Sequence, residues 1–166
     1  MSRLQLLRFD HAPALLAFER ENRAYFAASV PDRGDRYFAG FDERHAALMA
    51  EQAAGLCFFH LLVDGDGGGE VVGRVNLVDV ADGSAELGYR IAERATRRGL
   101  ATAAVEEACG LAFTRYGLTA LRAVTTLDNA GSRAVLARTG FVPTGDVDLD
   151  GRPGLRFVCN LPVATV

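Results

Sequence analysis

Ala85-Glu86-Leu87-Gly88-Tyr89-Arg90-Ile91, followed after five residues by Arg97-Arg98-Gly99-Leu100-Ala101-Thr102, decides how this chain is read. In the first stretch Ala85, Leu87, Tyr89 and Ile91 alternate with Glu86, Gly88 and Arg90, which is the period of a strand. The second opens a run, Arg98 to about Tyr116, in which Leu100, Ala101, Ala104, Val105, Ala108, Leu111 and Ala112 recur on one helical face. A strand ends, a short loop turns, and a long helix begins. Free N–H groups at a helix N-terminus, with about half a positive charge from the aligned peptide dipoles, attract an anion placed before them. Gly99 and Ala101 allow an anion close to the backbone, and Arg97 and Arg98 add full charges. The segment reads equally as a pyrophosphate cradle and as an ordinary strand-to-helix connection with solvated arginines. Gly-Lys-Ser/Thr is absent and Gly-x-Gly-x-x-Gly does not match, which sets aside the two common nucleotide loops. Gly99 stands where the helix starts, so its replacement is expected to leave the helix intact or to strengthen it.

Upstream, the apolar run Leu56 to Val63, then Val71 to Val78, then the Ala85 to Ile91 strand read as an antiparallel meander. A Gly-rich turn at Asp64 to Gly69 and an Asp-Gly turn at Asp82-Gly83 separate them. The Gly67-Gly68-Gly69 run is a hairpin tip, since a strand and not a helix follows it. Earlier still, Leu4 to Phe9 is a strand, and Asp10 caps a helix with Pro13 in its first turn that continues to about Ala28. Pro31 to Gly40 is a polar loop, and Asp42 is placed to cap a second helix to about Ala54. Downstream, Gly117 ends the long helix, Leu121 to Leu127 is a strand, and Asn129 to about Thr139 is a short helix stopped by Gly140. A hairpin, Phe141 to Leu149 and Leu155 to Leu161, turns at Asp150-Gly151. The fold class is α+β, with mixed α/β layers and about four helices, as one domain over residues 1–166.

Composition narrows the function. A net charge of -3 argues against nucleic-acid binding through bulk positive charge, although all 18 basic residues are arginine. No apolar run reaches the 18 or so residues of a membrane span, and the first residues lack the pattern of a secretion signal, so a cytoplasmic location is expected. Cys57, Cys109 and Cys159 are odd in number, widely spaced and set in apolar segments, and read as small buried hydrophobes. No metal site is expected. His11, His45 and His60 lie away from the informative segments and are assigned no chemistry.

The motifs carry a resemblance. Thr96-Arg97-Arg98-Gly99-Leu100-Ala101 resembles the Gln/Arg-x-x-Gly-x-Gly/Ala acyl-CoA-binding motif of the GNAT N-acetyltransferases, departing from it at Thr96. Asn129-Ala130-Gly131-Ser132, then Val135-Leu136 and Thr139-Gly140-Phe141, resembles a second motif of the same superfamily, in the form found in the ribosomal-protein alanine N-acetyltransferases of the RimJ/RimL kind. The opening Leu4 to Asp10 and Glu21-Asn22-Arg23 also fit that branch. The resemblance implies a mostly antiparallel central sheet with one splayed strand pair and acetyl-CoA as cosubstrate. It implies that the backbone at Tyr89, Arg90 and Ile91 holds the pantetheine arm and polarises the thioester. Arg97, Arg98, Gly99, Leu100, Ala101 and Thr102 then hold the pyrophosphate.

For the remaining roles the residue types suggest candidates. Asn129 caps the last helix and, by resemblance, contacts pantetheine. Ser132 is either a neutral first-turn residue or, as the resemblance implies, the candidate proton donor to the leaving thiolate, since Leu136 stands where many relatives carry a tyrosine. Glu86 faces away from Leu87 and is either a solvated strand carboxylate or, through water, the base. An α-amine with a pKa near 8 asks little of such a base; a lysine at about 10.4 asks more. The expectation is direct transfer to a primary amine, either a protein N-terminus or a small molecule, by a monomer or homodimer. A cysteine-borne acyl-enzyme is disfavoured. The alternative is a non-catalytic acyl-CoA sensor that keeps the cradle and lacks acid and base. Asp32, Asp35, Asp42 and Glu43 near the expected acceptor side either favour a cationic acceptor or are merely solvated.

Overall fold

A computed structural model describes residues 2–65 and 69–163. Seven strands, β1 (Ser2–Leu6), β2 (Phe58–Asp64), β3 (Val71–Ala81), β4 (Ser84–Ile91), β5 (Ala120–Thr126), β6 (Val142–Leu149) and β7 (Arg152–Asn160), form one sheet in the order β1-β2-β3-β4-β5-β7-β6. Every pairing is antiparallel except that of β4 with β5. The expected Asp-Gly turns form: Asp82 and Gly83 have φ of 52° and 74°, and Asp150 and Gly151 have 53° and 86°, the left-handed pair a two-residue hairpin requires. Gly67 and Gly68 of the expected tip between β2 and β3 lie outside the described residues; at its base the Asp64 N–H donates to the Glu70 carbonyl at 3.0 Å.

Among the described residues six helices flank the sheet, where about four were expected: α1 (Ala12–Glu21), α2 (Arg23–Ala27), α3 (Asp35–Ala39), α4 (Phe41–Ala53), α5 (Leu100–Thr114) and α6 (Ala130–Arg138). The first expected helix breaks at Asn22, a buried residue whose side chain turns back on the backbone. Its Nδ2 donates to the Phe18 carbonyl at 2.9 Å, and its Oδ1 accepts the Glu93 N–H at 3.0 Å. The segment read as a plain loop contains α3, entered through Gly34 at φ 87°. Two expected caps also differ. Asp10 sits inside a 3₁₀ turn, Phe9–His11, and pairs with Arg8 at 2.9 Å, so that α1 follows His11. Asp42 lies in the first turn of α4, where Gly40 is the N-cap and the carboxylate complements the helix dipole. Among the described residues no helix is long and apolar enough to cross a membrane.

The two faces of the sheet are covered differently. α5 is the crossover between parallel β4 and β5, and its buried Ala104, Val105, Ala108, Cys109 and Ala112 let it lie close against the strands. Just past it, the Tyr116 hydroxyl meets His60 Nε2 of β2 at 2.6 Å. Burial pushes His60 down to about 4, so it is a neutral structural residue at pH 7.

On the opposite face α1 buries a charge. Glu19 is 1% exposed and accepts from Arg74 at 2.7 Å, Arg33 at 3.1 Å and Arg90 at 3.4 Å. Burial acts to raise the Glu19 carboxyl, but the guanidiniums of Arg74, Arg33 and Arg90 outweigh it and hold the group below its ordinary value. A carboxyl with a depressed folded-state pKa contributes stability that is complete above its unfolded value and lost as pH falls through the folded one. Glu19→Gln is therefore expected to cost about 3–5 kcal/mol at pH 7, because it strands three guanidiniums at a buried site. In denaturant titrations the gap to wild type should persist down to about pH 4.3 and close only below it.

Candidate active site

β4 and β5 pair only over Ser84–Glu86 and Ala120–Arg122. The closed end of this short ladder is clamped: the Gly83 carbonyl accepts from the Thr119 N–H at 2.7 Å, and Arg122 donates to Ser84 Oγ at 2.7 Å. Beyond it the strands part. β4 remains bound to β3 as far as Ile91, and β5 to β7 as far as Thr126. A cavity of about 910 Å³ opens between them, bounded by Leu87–Ile91 on one side and Ala123–Thr126 on the other. Its remaining walls are the N-terminal turn of α5, the start of α6, α2 with the loop after it, and the β6–β7 turn. Arg152 at that turn donates to Asp128 at 2.8 Å and to the Ser29 carbonyl at 3.3 Å, which ties the turn to the α2 side.

The structure brings most of the predicted residues together. Tyr89, Arg90, Ile91, Arg97, Gly99, Leu100, Ala101, Thr102, Asn129 and Ser132 all line the cavity. Arg98 does not; its guanidinium turns to Asp64 at 3.2 Å, which leaves Arg97 as the arginine of the pair on the cavity wall. Glu86 is half-buried in the last pair of the ladder, where the strands part, beside Val78 and Arg122 in register, and is not a lining residue. Asp150 of the hairpin turn is. Cys57 and Cys109 are buried, away from the cavity wall, with thiols that burial pushes up to about 11 and about 12. Neither is a nucleophile at neutral pH.

Two local devices shape the site. Asn129 is the N-cap of α6, and its Oδ1 accepts the Ser132 N–H at 3.1 Å, which orients the first turn. From β4 the Tyr89 hydroxyl reaches Ser132 Oγ at 3.4 Å. Burial raises the Tyr89 phenol above its ordinary value, against a smaller lowering by Ser132, so the phenol is a protonated donor at pH 7. Sequence reading used Tyr89 and Arg90 only for their backbone. The Arg90 guanidinium lies 4.9 Å over the Phe26 ring and pairs with Glu19. Alternation alone puts Arg90 on the Glu86 face, but nothing in the pattern pairs it with Glu19, 71 positions away.

At the other end Gly99 is the N-cap of α5 with φ 73°, and a Cβ built on it meets nothing within 4 Å. This corrects the expectation from helix propensity, because the residue is outside the helix and left-handed. Gly99→Ala is expected to cost about 1–2 kcal/mol through backbone strain alone. Gly110, exposed inside the same helix with ordinary φ and open space for a Cβ, should respond in the opposite sense. Gly110→Ala should gain about 0.5–1 kcal/mol, and urea unfolding of the two variants reads both signs.

Comparison with known proteins agrees with this geometry. The ribosomal-protein-S5-alanine acetyltransferase of Vibrio fischeri has the same fold, with TM-score 0.87 and 20% identity over 99% of this chain and 96% of that one. Mycobacterium smegmatis RimJ in complex with CoA-disulfide matches with TM-score 0.84 and 26% identity over 97% and 84%. The microcin C7 self-immunity acetyltransferase MccE, solved with acetyl-CoA and AMP, matches with TM-score 0.78 and 15% identity over 95% and 92%. A comparison with curated protein sequences finds no match. The model of the GNAT acetyltransferase domain matches residues 3–142, so the strand fork and the helix that opens at Gly99 are those of a GNAT acetyltransferase, the family to which this chain belongs.

Proposed function

We propose that residues 1–166 act as one N-acetyltransferase domain that moves the acetyl group of acetyl-CoA to a primary amine by direct attack. One observation carries the reading: a single cavity joins the N-terminus of α5 to Ser132 through the gap between β4 and β5. The first N–H groups of α5, with the Arg97 charge, suit the pyrophosphate. The edge of β4 past Glu86 has no strand partner in the fork, so its peptide groups suit an extended pantetheine and the thioester carbonyl. Complexes of RimJ with CoA-disulfide and of MccE with acetyl-CoA support the choice of cosubstrate.

The amine nitrogen bonds to the thioester carbon, the carbon–sulfur bond breaks, and the nitrogen loses one proton while the sulfur gains one. Ser132 supplies the proton to sulfur and is resupplied by the Tyr89 phenol, which regains its proton from solvent in the cavity. Glu86 takes the amine proton through water. Asp150, which lines the cavity, is the second candidate for that last role.

Acetyl-CoA at a hundredfold excess over its dissociation constant should stabilise the fold by about 2.7 kcal/mol, a shift of a few degrees in melting temperature. No shift with millimolar acetyl-CoA or CoA sinks the reading. A shift without release of CoA thiol, across a panel of amines, favours the sensor alternative instead.

Acid and base separate by pH. Ser132→Ala and Tyr89→Phe should each slow turnover at every pH, by on the order of a hundredfold for the serine. Loss of the base should hurt most where the acceptor is an ammonium ion and be rescued as pH rises past the amine's pKa. Rate profiles of Glu86→Gln and Asp150→Asn with one good acceptor assign the base, and a wild-type profile for Glu86→Gln removes it from the mechanism.

A further inference from the structure

The acidic residues that suggested a cationic acceptor are partly spent. Arg23 donates to Asp32 at 2.8 Å and to Asp35 at 2.9 Å, so a single guanidinium holds both carboxylates. Asp42 and Glu43 point outward from the first turn of α4. Between these acids the surface has the opposite sign. A second cavity, of about 390 Å³, is lined by Arg33, Arg36, Tyr37, Gly40 and Arg44. The Arg33 and Arg44 guanidiniums lie 4.8 Å and 5.7 Å from the centre of the Tyr37 ring. Arg36 and Arg44 are exposed and form no ion pair among the described residues.

Arg33 connects this cavity to the active site. It donates to the same Glu19 oxygen as Arg90, and Arg90 lines the cavity in the strand fork. Three guanidiniums around one carboxylate leave two positive charges uncompensated (3 − 1 = 2), and buried Arg74 Nε meets no acceptor. The crowding acts on Arg90: burial first, then the charges of Arg33 and Arg74, push it down to about 10 against the pull of Glu19, and it stays cationic at pH 7. In a chain with a net charge of -3, this track of arginines from rim to cavity wall is not a bulk property.

We propose that the acceptor is a polypeptide N-terminus followed by acidic residues, its amine entering past Arg90 and its carboxylates engaging Arg33, Arg36 and Arg44. This deepens the acetyl-transfer reading and rests on it. Guanidiniums recognise carboxylates through paired N–H donors, and an extended chain advances about 3.4 Å per residue, so successive acidic side chains can meet successive arginines. A single small amine would leave the outer cavity unused.

The test compares peptides that share an N-terminal alanine and differ in the next four residues, all Asp/Glu, all Ser/Gly or all Lys/Arg, by release of CoA thiol. The acidic peptide should have a kcat/KM at least tenfold above the basic one, with the gap shrinking as salt rises to about 0.5 M. The double variant Arg36→Glu/Arg44→Glu changes two exposed side chains and should raise the KM for the acidic peptide by about tenfold or more while leaving the KM for acetyl-CoA unchanged. Equal or better use of the neutral or basic peptide overturns the proposal, as does a gap that the double variant does not alter. Free glutamate or a phosphorylated amine used better than the acidic peptide overturns the polypeptide acceptor. Calorimetric binding of acetyl-CoA, together with thiol release across a panel of small amines, keeps these outcomes apart from failure of the acetyl-transfer reading, in which acetyl-CoA would not bind or would bind and release no thiol with any amine.

Discussion

Two parallel strands that share three residue pairs and then separate set the terms for the rest of this molecule. Each is committed along its outer edge, β4 to β3 and β5 to β7, so neither can turn to close the gap. Peptide groups left on the inner edges are obligatory hydrogen-bonding groups with no strand partner there. A fold can leave such edges open only where water or a ligand satisfies them, and here they face a cavity large enough for a long extended ligand. The Gly83 clamp and the Arg122–Ser84 contact fix where the parting begins. The crossover helix then delivers its N-terminus to the open end, since a helix that returns the chain from β4 to β5 must start beside the end of β4.

The two sides of the fork differ in chemistry because the two faces of the sheet differ in packing. α5 buries alanine, valine and cysteine against one face, so what it offers a ligand is backbone: a helix terminus opened by Gly99. α1 buries Glu19 against the other, and a buried carboxylate requires cations close by. Three arginines gather on it from β3, β4 and the segment before α3. Once gathered they exceed its charge, and the excess lies on the face that α1 covers. The same interaction that holds α1 to the sheet thus gathers three arginines on that side.

Period-2 and period-3.6 patterns made the strands, the crossover helix and both Asp-Gly hairpins legible, because each rests on contacts close in sequence. The start of α5 at Gly99 was legible for the same reason, as was the Asn129 cap, whose acceptor and donor are three residues apart. What was not legible depends on distant partners. The break at Asn22 needs Glu93 N–H, and α3 forms where Arg23 pins Asp32 and Asp35. Tyr89 and Arg90 looked like backbone contributors because their side-chain partners, Ser132 and Glu19, are 43 and 71 positions away. Charged residues around the first helices could be counted but not paired, and the pairing of Asp32 and Asp35 with Arg23 depends on contacts nine and twelve positions apart.

The Tyr89–Ser132 contact also bears on how the proposed reaction can release a thiol without the tyrosine that Leu136 replaces. An alkanol is about as weak an acid as water, near pKa 15.7, so a serine alone is badly matched to a thiolate whose conjugate acid lies near 8.5. A phenol, even one raised above 10 by burial, is much nearer. With the Tyr89 O–H directed at Ser132 Oγ, a proton can pass from the serine to sulfur while the phenol replaces it, and the serine never carries a full negative charge. On the proposed route the acid strength would come from a residue on β4, while its delivery would come from one on α6. On that route a tyrosine across the fork would stand in for one on the helix, so that the proposed role of the Ser132 hydroxyl is compatible with a leucine in the helix turn behind it.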